Sequence, residues 1–198
     1  MGLVYMKFKH MLLKFIPKIL RFKILRLVRL IGRQGDIKLN LGSGEDPKFG
    51  YINIDRNSSC KPDICGEVLS VIKGFKDNSV KEILAIHLIN YFSHKKLLEL
   101  LNTTYRILDS DGHVIIEGPD FNKIFQLINV AEYNPTQLYA LFATNFDGPT
   151  HDFPYINAVT FDWLQKECLR IGFKSASVVS PLTHGMRNQR DSRLIAIK

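Results

Sequence analysis

From residue 37 onward the chain alternates between short apolar runs and stretches of helical spacing. "IKLNLGSG" and "YINID" are β-like runs, and "KPDIC" is a shorter third. "VKEILAIHL" is a nearly continuous apolar run, as expected of a strand covered on both faces. "SHKKLLELLNTTYRIL" repeats its apolar residues at helical intervals, with Ser93 placed as the N-cap. A turn at "SDGH" leads into the strand "HVIIEGPD", closed by Pro119. "DFNKIFQLINVAEY" is a helix with Asp120 near its start. Residues Asn134 to Asn157 are turn-rich and aromatic, in the manner of an insertion over one rim of a sheet. Thr160 then caps the helix "FDWLQKECLRIG", which Gly172 stops. "KSASVVSP" and "SRLIAIK" are two closing strands.

Strands alternating with helices predict an α/β domain. The expected fold is Rossmann-like: a mainly parallel, seven-stranded sheet with right-handed crossovers and helices on both faces. Such sheets bind ligands beyond the carboxyl ends of their strands, where the strand order reverses.

Residues 1–35 break the pattern. They interleave Leu, Ile and Phe with Lys7, Lys9, Lys14, Lys18, Arg21, Lys23, Arg26, Arg29 and Arg33, and they contain no acid. Of the 27 Lys and Arg residues these nine lie in the arm, leaving 18 against 19 Asp and Glu in residues 36–198. The net charge of +8 therefore belongs to the arm, and the nearly neutral domain is a poor match for a nucleic-acid backbone. On a wheel of roughly 100° per residue, Lys7, Lys14, Lys18, Arg21 and Arg29 share an arc of about 80°. Pro17 kinks such a helix or begins a second one. No uncharged run approaches the ~18 residues that span a bilayer. The arm thus reads as an amphipathic helix lying on an anionic membrane surface. A helix packed on the domain or on a twin subunit, as in a homodimer, is the plainer reading, and a nucleic-acid arm is a third. The division expected is 1–35 arm and 36–198 domain. Cys60, Cys65 and Cys168 form no CxxC pair, which argues for ordinary reduced cytosolic thiols, with no metal site and no disulfide framework.

The chemistry concentrates in "LNLGSGEDPKFGYINID". Gly42 and Gly44 after a buried strand allow close backbone approach to a ligand. The next strand ends in Asp55, where a carboxylate can accept both hydroxyls of a ribose. A dinucleotide fingerprint needs a third glycine and an acid about 20 residues on. Here Asp46-Pro47 fills the third-glycine region, and Asp55 follows Gly44 too soon for a three-turn helix between them. The loop suits a nucleoside ligand without a phosphate.

These segments resemble the class I S-adenosylmethionine (SAM)-dependent methyltransferases, in particular short ones associated with surface-polysaccharide genes. "LNLGSGEDPKFGYINID" is similar to that family's first motif, and "PDICGEVLS" to its next acidic segment, with Glu67 where Asp is usual. "FKDNSVKEILAIHLINYFS", "TYRILDSDGHVIIEGPD" and "DFPYINAVTFDWLQKECLRIGF" resemble three further blocks in order. The resemblance runs from about Lys38 to Lys198; the arm lies outside it. It implies SAM as the cofactor. Gly42 and Gly44, with Ser43 between them, then line the methionine part, Asp55 holds the ribose, and Glu67 and Val68 flank the adenine. His87, at the end of the fourth strand, lies near the transferable methyl. Asn90-Tyr91 replaces the family's Glu-His.

A hydroxyl acceptor benefits from a general base, and the ordinary histidine pKa of ~6.5 suits His87 and His151 to that role. The plain alternatives are strand-end packing for His87 and a surface loop for His151. Tyr91, Tyr155 and Trp163 are candidates for a sugar platform or for simple core and rim aromatics. The expectation is a SAM-dependent methyltransferase acting on a hydroxyl of a sugar or envelope-glycan intermediate, cytoplasmic and peripheral at the inner membrane face. A catalytically degenerate interaction module and an RNA methyltransferase using the basic arm are the alternatives.

Overall fold

The computed structural model describes residues 37–130, 157–182 and 189–198, which fall within one compact unit, Gln34–Lys198. The basic arm and His151 lie outside the described residues, as does the insertion up to residue 156.

The strands are β1 (Ile37–Leu41), β2 (Ile52–Asp55), β3 (Ile64–Cys65), β4 (Val80–Ile86), β5 (Leu108–Pro119), β6 (Ser175–Val179) and β7 (Asp191–Ile197). The helices are α1 (Val68–Lys73), α2 (His94–Ile107), α3 (Phe121–Val130) and α4 (Phe161–Ile171). One seven-stranded sheet has the order β3-β2-β1-β4-β5-β7-β6, in which only β7 runs antiparallel to its neighbours. The strand order reverses between β1 and β4, so the carboxyl ends of β1, β2 and β4 frame the crevice expected to take a ligand.

Strand alternation sorts the core. In register across the sheet, Leu39 pairs with Ile52 and Ile83, Ile83 with Val114, and Val114 with Ala196. Leu41, Ile54, Ala85, Ile116 and Leu194 form the next row of the same face. All ten are buried. Helices α1, α2 and α4 pack side by side over these rows; α1 and α2 lie in the crossovers from β3 to β4 and from β4 to β5, and α4 precedes β6.

On the opposite face the short spacing holds. Between β1 and β2 no helix forms; the chain returns across this face as an irregular segment with turns at both ends. It is pinned there by Asn40 Nδ2, which donates to the Asp46 carbonyl at 3.3 Å and to Asn53 Oδ1 at 2.9 Å. Lys48 N donates to Asn53 Oδ1 at 2.7 Å. Two buried asparagines thus satisfy a loop backbone that no helix satisfies. The strand β4 is buried at Ile83 and Ala85 on the helix side but only half-buried at Glu82, Leu84 and Ile86 on the other.

The expected turn at "SDGH" is a bulge inside β5. Val80 pairs with Leu108 and Glu82 with His113, so residues 109–112 loop out of register. A Cβ on Gly112 would lie 2.9 Å from the Val80 carbonyl oxygen, which explains glycine there. The short helix α1 was not anticipated. Ser93 and Thr160 stand at N-cap positions with extended backbone but make no side-chain cap bond. For α4 the first amide is taken instead by Asp120 Oδ1, at 3.3 Å from Phe161 N. Cys168 is buried, and burial pushes its thiol pKa up to about 12, so it behaves as a small apolar residue.

At the amino-terminal end of the polar face, Lys38 Nζ donates to Glu82 Oε2 at 2.6 Å, and the Tyr51 hydroxyl donates to Glu82 Oε1. His113 Nε2 lies 3.9 Å from the same carboxylate. Burial pushes the Glu82 carboxyl up, but the bonds from Lys38 and Tyr51 and the nearby cations outweigh it and hold it below its usual range. A depressed folded-state value contributes stability above about pH 4.3, and that stability is lost as pH falls through the folded value. Glu82→Gln is therefore expected to flatten the acid limb of the stability curve, measured by urea unfolding between about pH 2 and 5. An acid limb as steep as wild type would show that this cluster contributes nothing.

Candidate active site

The site is built at the tips of three adjacent parallel strands. After β1 the backbone enters the left-handed region at Gly42 (φ +64°) and again at Gly44 (φ +49°), where glycine avoids the Cβ penalty. The amides of Gly42 and Ser43 both donate to the Ile54 carbonyl, at 2.8 and 3.1 Å. The bend is thereby folded onto the tip of β2. Those two amides are used within the protein, which narrows the sequence-based idea of a backbone cradle.

The two glycines have different surroundings. A Cβ on Gly42 would sit 2.7 Å from Leu88 Cδ1, just past the end of β4, so this position is closed by packing. A Cβ on Gly44 would meet no heavy atom within 4 Å. Gly44 therefore faces open space, and its amide donates to Asp55 Oδ2 at 2.8 Å. Asn57 N donates to Asp55 Oδ1 at 2.7 Å. The Asp55 carboxylate is oriented from both sides, toward the glycine bend. Two oxygens offer about four acceptor positions, and two amides use half of them. Ser43 is buried, yet its Oγ has no hydrogen-bond partner among the described residues. A buried hydroxyl in that state calls for a partner the protein does not itself supply.

The third strand completes the rim. Asp55 pairs with Cys65, and Gly66 N donates back to the Asp55 carbonyl at 2.9 Å. Glu67 follows at the N-cap position of α1 with a largely exposed side chain, its carboxylate 3.8 Å from Arg56 Nη1. Val68 is buried beside it. Gly44, Asp55, Glu67 and Val68 thus follow the tips of β1, β2 and β3 in order.

On the other flank, β4 is followed by His87, whose φ of +51° is unusual for a residue with a side chain. Its amide donates to the Glu117 carbonyl at 2.7 Å. Its imidazole Nε2 lies 3.3 Å from Asp191 Oδ2, the first residue of β7. Asn90 is fully buried and clasps the chain before α4: Asn157 N donates to the Asn90 carbonyl at 3.2 Å, and Asn90 Nδ2 to the Asn157 carbonyl at 3.3 Å. Trp163 stacks at a tilt on His94, with ring centroids 5.2 Å apart.

Sequence reasoning missed a buried ionic layer here. Arg193 Nε donates to Glu117 Oε2 at 2.6 Å, and Arg190 Nε to Asp191 Oδ1 at 2.7 Å. Both carboxylates have no solvent exposure. Leu182 N also bonds Glu117 Oε2, at 3.0 Å, and Lys123 Nζ bonds the Asp191 carbonyl at 2.6 Å. Asp120 accepts from Asn122 N and Phe161 N at Oδ1, and from the Ser192 hydroxyl at Oδ2. It starts α3, as the plain reading had it, and also ties α4 and β7 to that start. The one available signal was the density of charge in "RDSR" at the head of an apolar strand.

In sequence, no family model matches the chain and no curated protein is significantly similar to it. In structure the chain resembles SAM-dependent methyltransferases. One from Archaeoglobus fulgidus is 17% identical with a TM-score of 0.57, over 89% of this chain and 94% of that one. One from Thermotoga maritima is 16% identical with a TM-score of 0.55, over 96% and 99%. One from Methanosarcina mazei is 15% identical with a TM-score of 0.55, over 87% and 96%. The fold is therefore that of the SAM-dependent methyltransferases.

The two glycines separate by substitution. Gly44→Ala carries only the left-handed backbone cost, about 1–2 kcal/mol. Gly42→Ala adds the collision with Leu88, so urea unfolding is expected to show a larger loss for it. Equal losses would show that Leu88 yields freely.

Proposed function

We propose that this protein is a SAM-dependent methyltransferase whose acceptor is a hydroxyl of a sugar or envelope-glycan intermediate. The observation that carries the cofactor reading is the Asp55 carboxylate, held by the Gly44 and Asn57 amides beside open space. The residues present fit an adenosyl ligand. Asp55 retains acceptor positions for two ribose hydroxyls. The open space at Gly44 and the buried Ser43 hydroxyl, without a partner among the described residues, suit the polar methionine portion. Val68 offers an apolar wall for the adenine, and Glu67 a carboxylate beside it.

When bound, the cofactor supplies an electrophilic methyl on a sulfonium; the chain's own residues align and desolvate. Asp55 and Gly44 fix the nucleoside end. The turn from His87 to Leu88 lies against Gly42, so the end of β4 is registered to the glycine bend. The hydroxyl acceptor rests on the resemblance of the motifs to methyltransferases of surface polysaccharides and on the basic arm. The arm suits an anionic membrane surface on charge and amphipathic spacing; among the described residues no helix is long and apolar enough to cross a membrane.

Titration calorimetry with S-adenosylhomocysteine and SAM tests the reading. Wild type is expected to bind both, and Asp55→Ala to bind at least about tenfold more weakly, the loss of charge-assisted bonds to a ribose. No binding by wild type, or equal binding by the variant, would leave the non-enzymatic interaction module as the better account. Flotation with anionic vesicles tests the arm: removing residues 1–35 is expected to abolish lipid association, and unchanged association would overturn it.

A further inference from the structure

No α-helix forms between β2 and β3. After Asp55 the chain makes one 3₁₀ turn, Ser58–Cys60, and then enters β3. Residues 56–59 are exposed, so burial does little to order them. A ladder of two short side chains orders them instead. Asp55 Oδ1 accepts from the Asn57 amide at 2.7 Å, and Asn57 Oδ1 accepts from the Ser59 amide at 3.0 Å. Each side chain takes the amide two residues on, a span that Asp and Asn reach readily. The Asn57 carbonyl accepts from Cys60 N at 3.2 Å. Lys61, at φ +52°, closes the turn by donating its amide to the Ser58 carbonyl at 3.1 Å.

We propose that Asn57 is a positioning residue for Asp55: its side-chain carbonyl fixes the turn that presents the Asn57 amide to the ribose-binding carboxylate. This inference rests on the methyltransferase reading. The carboxylate is gripped once on each oxygen, by the Gly44 amide at Oδ2 and by the Asn57 amide at Oδ1. The first grip comes from a bend anchored on the Ile54 carbonyl. The second comes from an exposed turn, and the anchor of that turn is the Asn57 side chain. Without its carbonyl the Ser59 amide is released to water, and the Asn57 amide no longer keeps one direction. Asp55 is then held by Gly44 alone and rotates more freely. A ribose must in that case order a carboxylate that the intact protein orders beforehand, and affinity falls by that cost.

Two observations separate this role from simple support of the fold. The Asp55 backbone is pinned independently, because Gly66 N donates to its carbonyl at 2.9 Å. Asn57 therefore acts on the direction of the side chain and not on the strand. The turn also stays beside the carboxylate. Burial raises the Cys60 thiol pKa, and the Asp55 and then the Glu45 carboxylates raise it further, which sets Cys60 within electrostatic reach of Asp55. A residue that only supported the fold would lower stability when truncated and leave ligand affinity where it was.

The test is S-adenosylhomocysteine calorimetry on the full chain, with Asn57→Ala, Asn57→Ser, Asp55→Ala and the Asp55→Ala/Asn57→Ala double variant. Asn57→Ala is expected to bind about fivefold more weakly, the effect of one lost cap bond. Asn57→Ser, whose hydroxyl restores an acceptor, is expected to recover most of that loss. On the Asp55→Ala background, Asn57→Ala is expected to change affinity by less than about twofold, because the group it acts through is gone. No loss in Asn57→Ala, or the same loss with and without Asp55, would overturn the proposal. Amide hydrogen exchange without ligand gives an independent reading. Corrected for intrinsic rates, the residue 57 amide is expected to exchange about fivefold faster in Asn57→Ala than in wild type, with Gly44 unchanged. Equal exchange at residue 57 overturns the proposal whether or not the ligand binds. Absence of binding by wild type counts against the methyltransferase reading, and the exchange result then decides the role of Asn57 alone.

Discussion

The hydrogen bond from the Gly44 amide to the Asp55 carboxylate joins the tips of β1 and β2, and the site is organised around it. It requires the chain to leave β1 in a left-handed bend, return to the other end of the sheet, and come back along β2 with its last side chain aimed at that bend. The return is made without a helix. Asn40 and Asn53, neighbours in the β-ladder, replace the helical hydrogen bonds with side-chain ones. A short connection leaves little slack, so the acid at the end of β2 arrives beside the second glycine. The physical consequence is a carboxylate oriented before any ligand arrives, which lowers the ordering cost of binding.

The two halves of the crevice are held by different physics. On the β1–β3 side, backbone amides and one carboxylate make a partly open rim. On the β4–β7 side, the buried Arg193–Glu117 pair ties β5 to β7, the Arg190–Asp191 pair fixes the head of β7, and the clasp between Asn90 and Asn157 ties the end of β4 to the start of the chain leading into α4. Buried pairs are weak contributors to net stability but costly to break singly. They are therefore suited to fixing where the strand tips and their following segments begin.

Much of this was legible in the sequence. All seven strands follow from alternating apolar runs and their punctuation, whereas the antiparallel direction of β7 came only from the pairing. Gly42, Gly44 and Asp55 were legible because glycine and a strand-end acid are rare enough in combination to carry information. The bulge in β5 was partly legible: "SDGH" announces a turn, but only pairing reveals that the strand continues through it. The missing helix between β1 and β2 was readable as a spacing, whereas its replacement by two asparagines was not, because each alone looks like an ordinary polar strand residue. The Arg190–Asp191 and Glu117–Arg193 pairs were hidden for a similar reason. Charges beside apolar runs normally mark a solvated edge, and their partners are more than 60 residues away or one residue away on a strand whose neighbour is not yet known.

The measurement that bears most directly on the central claim is a crystal structure of the full chain with S-adenosylhomocysteine. The account predicts both ribose hydroxyls within hydrogen-bond distance of Asp55, the amino-acid end of the ligand beside Gly44 and Ser43, and its sulfur toward the end of β4. A ligand bound elsewhere, or one at the strand tips with its ribose turned away from Asp55, would contradict it.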